Sequence, residues 1–390
     1  LRQMLDGKEQ LIEYFVGSSH IYIFRLDQSG FTLHETVKPA NLNQRVLEWR
    51  RSIEAYQNTG VARNTLINQY QQEAYNLYQS LISSVLPATQ DIDQLLIISS
   101  GILDLIPFEA LLTSTVDSQT PLSNYPYLLK HYAISYTYSA SLQWSLFQLE
   151  RKGEQKAAFA PSFDAQSGWA PLTCSADMLQ RTFASTGGSV HTDTEATIAA
   201  FQRLAPQYRL LHLATHAQAN PEYGDFSYIV FSDGQGGYDS LFAKDLYLYD
   251  LEAELVILSA CETALGTLYN SEGVISLARA FHYAGARSVL TTLWRINEGA
   301  NCSLLEEFYA ALDEGEDKRQ ALRTAKLQYL ANTDARGAHP VYWAGFQLLG
   351  NPRAMEASTP WHWYLLGGLG LLLIFAMFRQ FPKRKETILT

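Results

Sequence analysis

Residues 254–266 read ELVILSACETALG, and this stretch indicates the fold class. Its apolar run ends in two small residues and Cys261, as a buried strand does when it leads into a tight turn. Residues 210–217, LLHLATHA, repeat the pattern and lead to His216. An amphipathic helix is predicted between these strands and the next one, at 273–284. Short apolar strands that alternate with such helices predict an α/β fold with a mainly parallel sheet.

The chain before these strands divides near residue 150. Residues 11–37 alternate apolar and polar side chains and predict an edge hairpin of two or three strands. A polar, helix-favouring run follows from about 43 to 86, and the polar linker RKGEQK at 151–156 precedes the next strand. We therefore predict a first domain at residues 1–150 and a second at 151–352.

The second domain continues the alternation. Helices are predicted near 299–313 and 316–331, and a final strand at 345–350. The glycine-rich DGQGGYD at 233–239 predicts a variable polar loop.

Charge and cysteine content exclude several classes of protein. The net charge of −10 argues against nucleic-acid binding, which needs a basic face for the phosphates. Three cysteines, Cys174, Cys261 and Cys302, are too few and too scattered for a disulfide framework or a zinc site. Cys174 and Cys302 are expected to pack in the interior. No P-loop, zincin or G-x-S-x-G motif occurs, so no metal and no cofactor is predicted.

The strand ends bring two reactive side chains together. Ligands and catalytic groups gather at the carboxyl ends of parallel strands, where both His216 and Cys261 follow an apolar run. A thiol with an ordinary pKa near 8.5 is mostly protonated at pH 7, and a neighbouring imidazole can take its proton. The backbone N–H groups of Ala217 and Cys261 are the predicted oxyanion hole. His212 lies within its strand and is predicted to be structural.

Five blocks of sequence resemble the CHAT family of caspase-like domains, which are related to caspases and separase. The blocks, in chain order, are LIPFEALL at 105–112, AISYTYSAS at 133–141, HLATHA at 212–217, LSACETALG at 258–266 with the following SEGVISLARAFHYAGARSVLTTLWRI at 271–296, and YWAGFQLLGNP at 342–352. The likeness covers roughly residues 1–352. It implies a caspase-like three-layer fold, with a pseudo-caspase half at 1–150 before the active half at 151–352. It also implies a catalytic dyad of His216 and Cys261, and tetratricopeptide repeats upstream of Leu1.

Two residues depart from the family pattern. Ala217 stands where the family usually has glycine, which adds a methyl group facing the oxyanion space. Glu298 stands four residues after Trp294, where an aspartate is typical. The resemblance implies that this acid lines a specificity pocket and reads a basic residue before the scissile bond. An ordinary solvated acid is the alternative.

The C-terminal segment predicts membrane anchoring. A linker is expected at 353–360, and residues 361–378, WHWYLLGGLGLLLIFAMF, carry no formal charge. Eighteen helical residues rise about 27 Å, close to the roughly 30 Å hydrocarbon core of a bilayer. The basic tail at 379–390 favours a cytoplasmic C-terminus. These residues predict a single-pass membrane protein in contact with lipid, with a buried core helix as the alternative.

The residues thus favour a membrane-anchored cysteine endopeptidase that cleaves protein or peptide substrates through an acyl-enzyme. The alternative is a CHAT scaffold with weak or no catalysis that binds protein partners at the membrane.

Overall fold

The computed structural model describes residues 1–58, 62–86, 91–149, 155–164, 167–220, 222–259 and 271–355. Its helices are α1 (Leu42–Glu54), α2 (Arg63–Leu81), α3 (Ala140–Gln148), α4 (Thr173–Thr186), α5 (Ile198–Leu204), α6 (Ala243–Leu246), α7 (Ser271–Tyr283), α8 (Glu298–Asp313) and α9 (Lys318–Asn332). Its strands are β1 (Glu9–Val16), β2 (His20–Leu26), β3 (Phe31–Val37), β4 (Gln94–Ile98), β5 (Ala133–Tyr136), β6 (Gln155–Ala160), β7 (Ser189–Thr192), β8 (Tyr208–Leu213), β9 (Ala217–Gln218), β10 (Tyr228–Ser232), β11 (Tyr238–Phe242), β12 (Leu255–Leu258), β13 (Ser288–Thr292) and β14 (Phe346–Gly350).

Eleven of these strands form one sheet in the order β3-β2-β1-β4-β5-β14-β13-β12-β8-β6-β7. Strand β14 runs parallel to β5 and antiparallel to β13. The strands from β13 to β7 are parallel to one another, so their carboxyl ends share one edge of the sheet. The predicted α/β fold with a mainly parallel sheet is confirmed.

Both faces of the central strands are covered. Successive side chains of a strand point to opposite faces, yet every residue of β12, β13 and β14 is buried. This all-round burial is typical of parallel strands between two layers of other elements, and it explains why their sequences read as continuous apolar runs.

The expected hairpin at 11–37 is present as β1, β2 and β3, at one end of the sheet. The helix-favouring run at 43–86 forms α1 and α2. The predicted polar loop at 233–239 is only partly correct. It is the turn of a hairpin whose strands, β10 and β11, form a second sheet with the two-residue strand β9.

Helix α9 carries buried cations that face acids of the predicted first domain. The Lys326 ammonium lies 2.9 Å from a Glu109 carboxylate oxygen, and both side chains are almost fully buried. The Arg319 guanidinium lies 2.6 Å from Glu9, again in the interior. These ion pairs connect an element of the predicted second domain with strands and loops of the first.

The predicted single-pass membrane localisation is corrected by the structure. Across the described residues, no helix is both long and apolar enough to span a bilayer. Residues 361–378, on which that prediction and the predicted lipid contact depended, lie outside the described residues, as does the basic tail.

Candidate active site

The predicted catalytic residues follow two neighbouring strands of the sheet at equivalent positions. Strand β8 pairs in parallel with β12, and Leu213 lies opposite Leu258. His216 follows Leu213 by three residues, and Cys261 follows Leu258 by three. Neighbouring strands lie about 4.8 Å apart, so the ends of β8 and β12 lie side by side at the carboxyl edge of the sheet. Cys261 itself lies outside the described residues.

The His216 imidazole is held by a main-chain carbonyl. Its Nε2 lies 2.8 Å from the carbonyl oxygen of Ala170. Because a carbonyl oxygen can only accept, Nε2 must carry the proton of this hydrogen bond. In the neutral ring, Nδ1 then holds the lone pair and is the nitrogen that can act as a base.

Two aromatic rings fix the plane of this imidazole. Trp169 stacks on it, with ring centroids 4.9 Å apart, and Phe163 meets it edge-on at 4.6 Å. Phe163 follows strand β6 and in turn stacks on Tyr238 of β11 at 5.1 Å. The side chain of His216 is buried as a result. Packing on two sides restricts ring rotation and keeps Nε2 aimed at the carbonyl.

Ala217 continues from His216 into strand β9, opposite Ile229. The His216 carbonyl oxygen accepts a hydrogen bond from the Val230 N–H at 2.9 Å. The Ala217 methyl group is buried within the main hydrophobic cluster. The substitution for glycine is therefore accommodated by core packing, and the role of the Ala217 N–H in an oxyanion hole stays a prediction.

Glu298 has a structural role that the sequence did not suggest. It is the first residue of α8, and its Oε1 accepts hydrogen bonds from the N–H groups of Cys174 at 2.8 Å and Ser175 at 3.3 Å. These amides belong to the first turn of α4, whose N-cap residue, Leu172, supplies no side-chain bond. A carboxylate at this position satisfies orphan N–H groups and complements the helix dipole. The predicted specificity pocket at Glu298 stays a prediction.

The structure corrects the prediction for two of the cysteines. Cys174 and Cys302 are joined by a disulfide bond across 128 residues of sequence. The sequence predicts two unrelated packing residues, because nothing in their spacing indicates that α4 and α8 meet near their N-terminal ends. Cys174 and Glu298 thus mark a junction next to the segment that holds His216.

His212 is structural, as its position within β8 predicts. Its Nδ1 lies 2.6 Å from the Tyr309 hydroxyl, and burial lowers the pKa of its imidazole to about 3. The ring therefore stays neutral through the physiological range. Within the described residues, no group of three or more His, Cys, Asp or Glu side chains could hold a metal ion.

Comparison with known proteins agrees with this fold. The crystal structure of the Saccharomyces cerevisiae separase–securin complex superposes with a TM-score of 0.59 at 10% identity, over 91% of this chain and 30% of the other. A second structure of that complex gives 0.55 at 11% identity, over 91% and 31%. At such low identity the likeness concerns the fold alone.

Sequence relatives match a shorter region. Tetratricopeptide repeat protein 28 of Mus musculus is 34% identical over 119 residues, and that of Homo sapiens is 33% identical over the same length. Each match covers 30% of this chain and 5% of the relative, so the chain spans a small part of these proteins. The CHAT domain model matches residues 71–351. This match covers most of the chain, including His216 and Cys261, and the chain therefore belongs to the CHAT domain family.

Proposed function

We propose that this chain is a cysteine peptidase in which Cys261 is the nucleophile and His216 the general base. The observation that carries the proposal is the His216 imidazole, fixed by the Ala170 carbonyl with Nδ1 as its basic nitrogen. The pairing of Leu213 with Leu258 supports it, because the strands that lead to His216 and Cys261 end side by side. A cysteine with a histidine oriented by a third group is the usual arrangement for thiol nucleophiles.

The proposed reaction proceeds in two halves. His216 Nδ1 takes the proton from the Cys261 thiol, and the thiolate attacks the scissile carbonyl carbon. The C–N bond breaks as the imidazolium returns the proton to the leaving amine, which leaves a thioester on Cys261. Water then attacks the thioester with His216 as base, and the acid product and the thiol are released. The backbone N–H groups of Ala217 and Cys261 are the proposed donors to the oxyanion.

A finer proposal concerns substrate choice. Glu298 already accepts two amide hydrogen bonds at its Oε1. The proposal therefore assigns the contact with an Arg or Lys side chain of the substrate to Oε2, as a charge-assisted hydrogen bond. Protein substrates and upstream tetratricopeptide repeats are proposed from the relatives, since one is named for that repeat and separase was solved with securin.

A second candidate function is a protein-binding module without catalysis, and one surface favours it. The rings of Tyr247 and Tyr283, residues that are 42% and 74% exposed, have centroids 5.6 Å apart, and the adjacent Leu248 is 88% exposed. Exposed apolar clusters of this kind mark interaction sites on folded proteins.

Peptide cleavage tests the proposal directly. The full chain is incubated with a mixed peptide library, and the products are read by mass spectrometry, alongside Cys261→Ala, His216→Ala and His34→Ala variants. We expect cleavage by the wild type and by His34→Ala, whose histidine lies on β3 at the far end of the sheet. Both dyad variants should lose at least about a thousandfold in rate. Cleavage that survives in Cys261→Ala would overturn the assignment.

A further inference from the structure

We propose that the Cys174–Cys302 disulfide is a redox-sensitive modification site that positions His216. In this proposal the oxidised pair anchors the segment that orients the imidazole, and reduction releases that segment. The part concerning activity rests on the proposed function, whereas the coupling between the disulfide and His216 does not.

The first support is the position of Cys174 in the chain. It lies four residues after Ala170, whose carbonyl accepts from His216 Nε2, and five after Trp169, which stacks on the ring. These contacts come from one short connection, residues 167–172, that leads into α4. Any displacement of the start of α4 therefore moves the groups that hold the imidazole.

The second support is the position of Cys302. It lies on α8 near its N-terminus, is buried, and belongs to a helix anchored in the core by Leu304, Leu305 and Phe308. The disulfide thus ties the end of this connection to a helix that is packed in the core. Position matters because a displacement of about 1 Å at a catalytic group can cost a hundredfold in rate.

The third support is the weakness of the remaining polar links between α4 and α8, which also pack together further along through Phe183 and Tyr309. The Glu298 carboxylate, which accepts from the Cys174 and Ser175 amides, is half-buried. The Arg181–Glu306 ion pair, at 2.6 Å, is largely exposed, and such pairs contribute about 0–1 kcal/mol. The covalent bond is stronger than either of these polar links, so its loss should displace the start of α4.

The chemistry is ordinary thiol–disulfide exchange. A small dithiol reductant attacks one sulfur as its thiolate, which breaks the S–S bond and forms a mixed disulfide. Its second thiolate displaces the protein sulfur, so that Cys174 and Cys302 end as two thiols and the reductant as a cyclic disulfide. Re-oxidation by a low-molecular-weight disulfide runs the same exchange in reverse and releases two small thiols.

The test compares the full chain, with and without a dithiol reductant, with a Cys174→Ser/Cys302→Ser double variant. The number of thiols is counted by iodoacetamide labelling under denaturing conditions. With three cysteines in the chain, one label is expected without the reductant and three with it. Two further measurements report on the site: amide hydrogen exchange over 167–176, and the NMR titration of the His216 ring.

We expect reduction to speed amide exchange over 167–176 by about tenfold or more and to change the His216 titration. The double variant should show the same changes without the reductant and should not respond to it. Three labels without the reductant, or exchange and titration identical in all samples, would overturn the proposal. If the full chain cleaves no peptide in either redox state while these changes occur, the peptidase proposal fails and the redox coupling stands.

Discussion

Replacing Glu109 by glutamine should destabilise the fold by leaving a buried cation without its counter-charge. Lys326 Nζ is fully buried and donates to Glu109 Oε1 at 2.9 Å and to the Phe346 carbonyl at 2.7 Å. Glutamine keeps the shape of the side chain but removes the charge. Breaking a buried pair from one side costs about 3–5 kcal/mol, so Glu109→Gln should lower the free energy of unfolding by roughly that amount.

The matched control is the double variant Glu109→Gln/Lys326→Met. Methionine keeps most of the length of the lysine side chain without its charge, and removing both charges of a buried pair is often nearly neutral. Urea unfolding of the wild type, Glu109→Gln, Lys326→Met and the double variant, followed by circular dichroism, gives the four free energies of the cycle. The double variant should recover most of the free energy of unfolding that Glu109→Gln loses. A loss below about 1 kcal/mol in Glu109→Gln, or simple additivity in the double variant, would refute the reasoning.

The same variant should change how stability depends on pH. Burial lowers the pKa of Lys326 below 10.5, and Glu109 opposes this shift. At pH values between the pKa of Lys326 in the folded chain and its pKa in the unfolded chain, the folded chain binds fewer protons than the unfolded chain. Raising the pH through that range therefore increases the free energy of unfolding. Without Glu109 the folded pKa falls further, and the rise in stability should begin at lower pH.

Three further predictions concern residues around the site and the core. Glu298→Ala should cost about 1–2 kcal/mol and speed amide exchange at the start of α4, because two amides lose their acceptor; unchanged exchange there would refute the capping role. Arg50→Met should lower peptide cleavage and stability, by about 1–3 kcal/mol in unfolding, because the Arg50 guanidinium donates to the Leu293 carbonyl beside Trp294. Below pH 6.5, acid should lower the free energy of unfolding by about 1.4 kcal/mol per pH unit for each buried neutral histidine, because unfolding lets that histidine protonate. Replacing one of these histidines by phenylalanine should weaken this dependence of stability on pH. Burial lowers the pKa of His212 to about 3, of His282 to about 4 and of His339 to about 3, and these are the histidines concerned.

The sequence predicted the periodic elements of the fold well. The helices expected near 299–313 and 316–331 are α8 and α9, and the final strand expected at 345–350 is β14. Their apolar spacing reports local geometry, which periodicity can reveal. The reversal of direction at β14 was not predictable, because strand order depends on contacts between residues far apart in the chain.

The candidate site, like the fold, was only partly predictable from the sequence. His216 and Cys261 were predicted as site residues because each follows an apolar strand, and their catalytic roles stay a prediction. The Ala170 carbonyl was missed because a main-chain acceptor has no sequence signature, and the contacts of Trp169 follow from the path of a loop. The disulfide was missed because its cysteines lie 128 residues apart.

The central claim, that His216 activates Cys261, is tested most directly by the pH dependence of Cys261 alkylation. In the oxidised chain Cys261 is the one thiol, because Cys174 and Cys302 are joined by the disulfide, and its iodoacetamide reaction rate is measured from pH 5 to 10, with and without His216→Gln. With His216 present, the account predicts that the reactive thiolate persists well below the ordinary thiol pKa of about 8.5, and that His216→Gln returns the midpoint to about 8.5 or above. The same midpoint in both proteins would contradict the account.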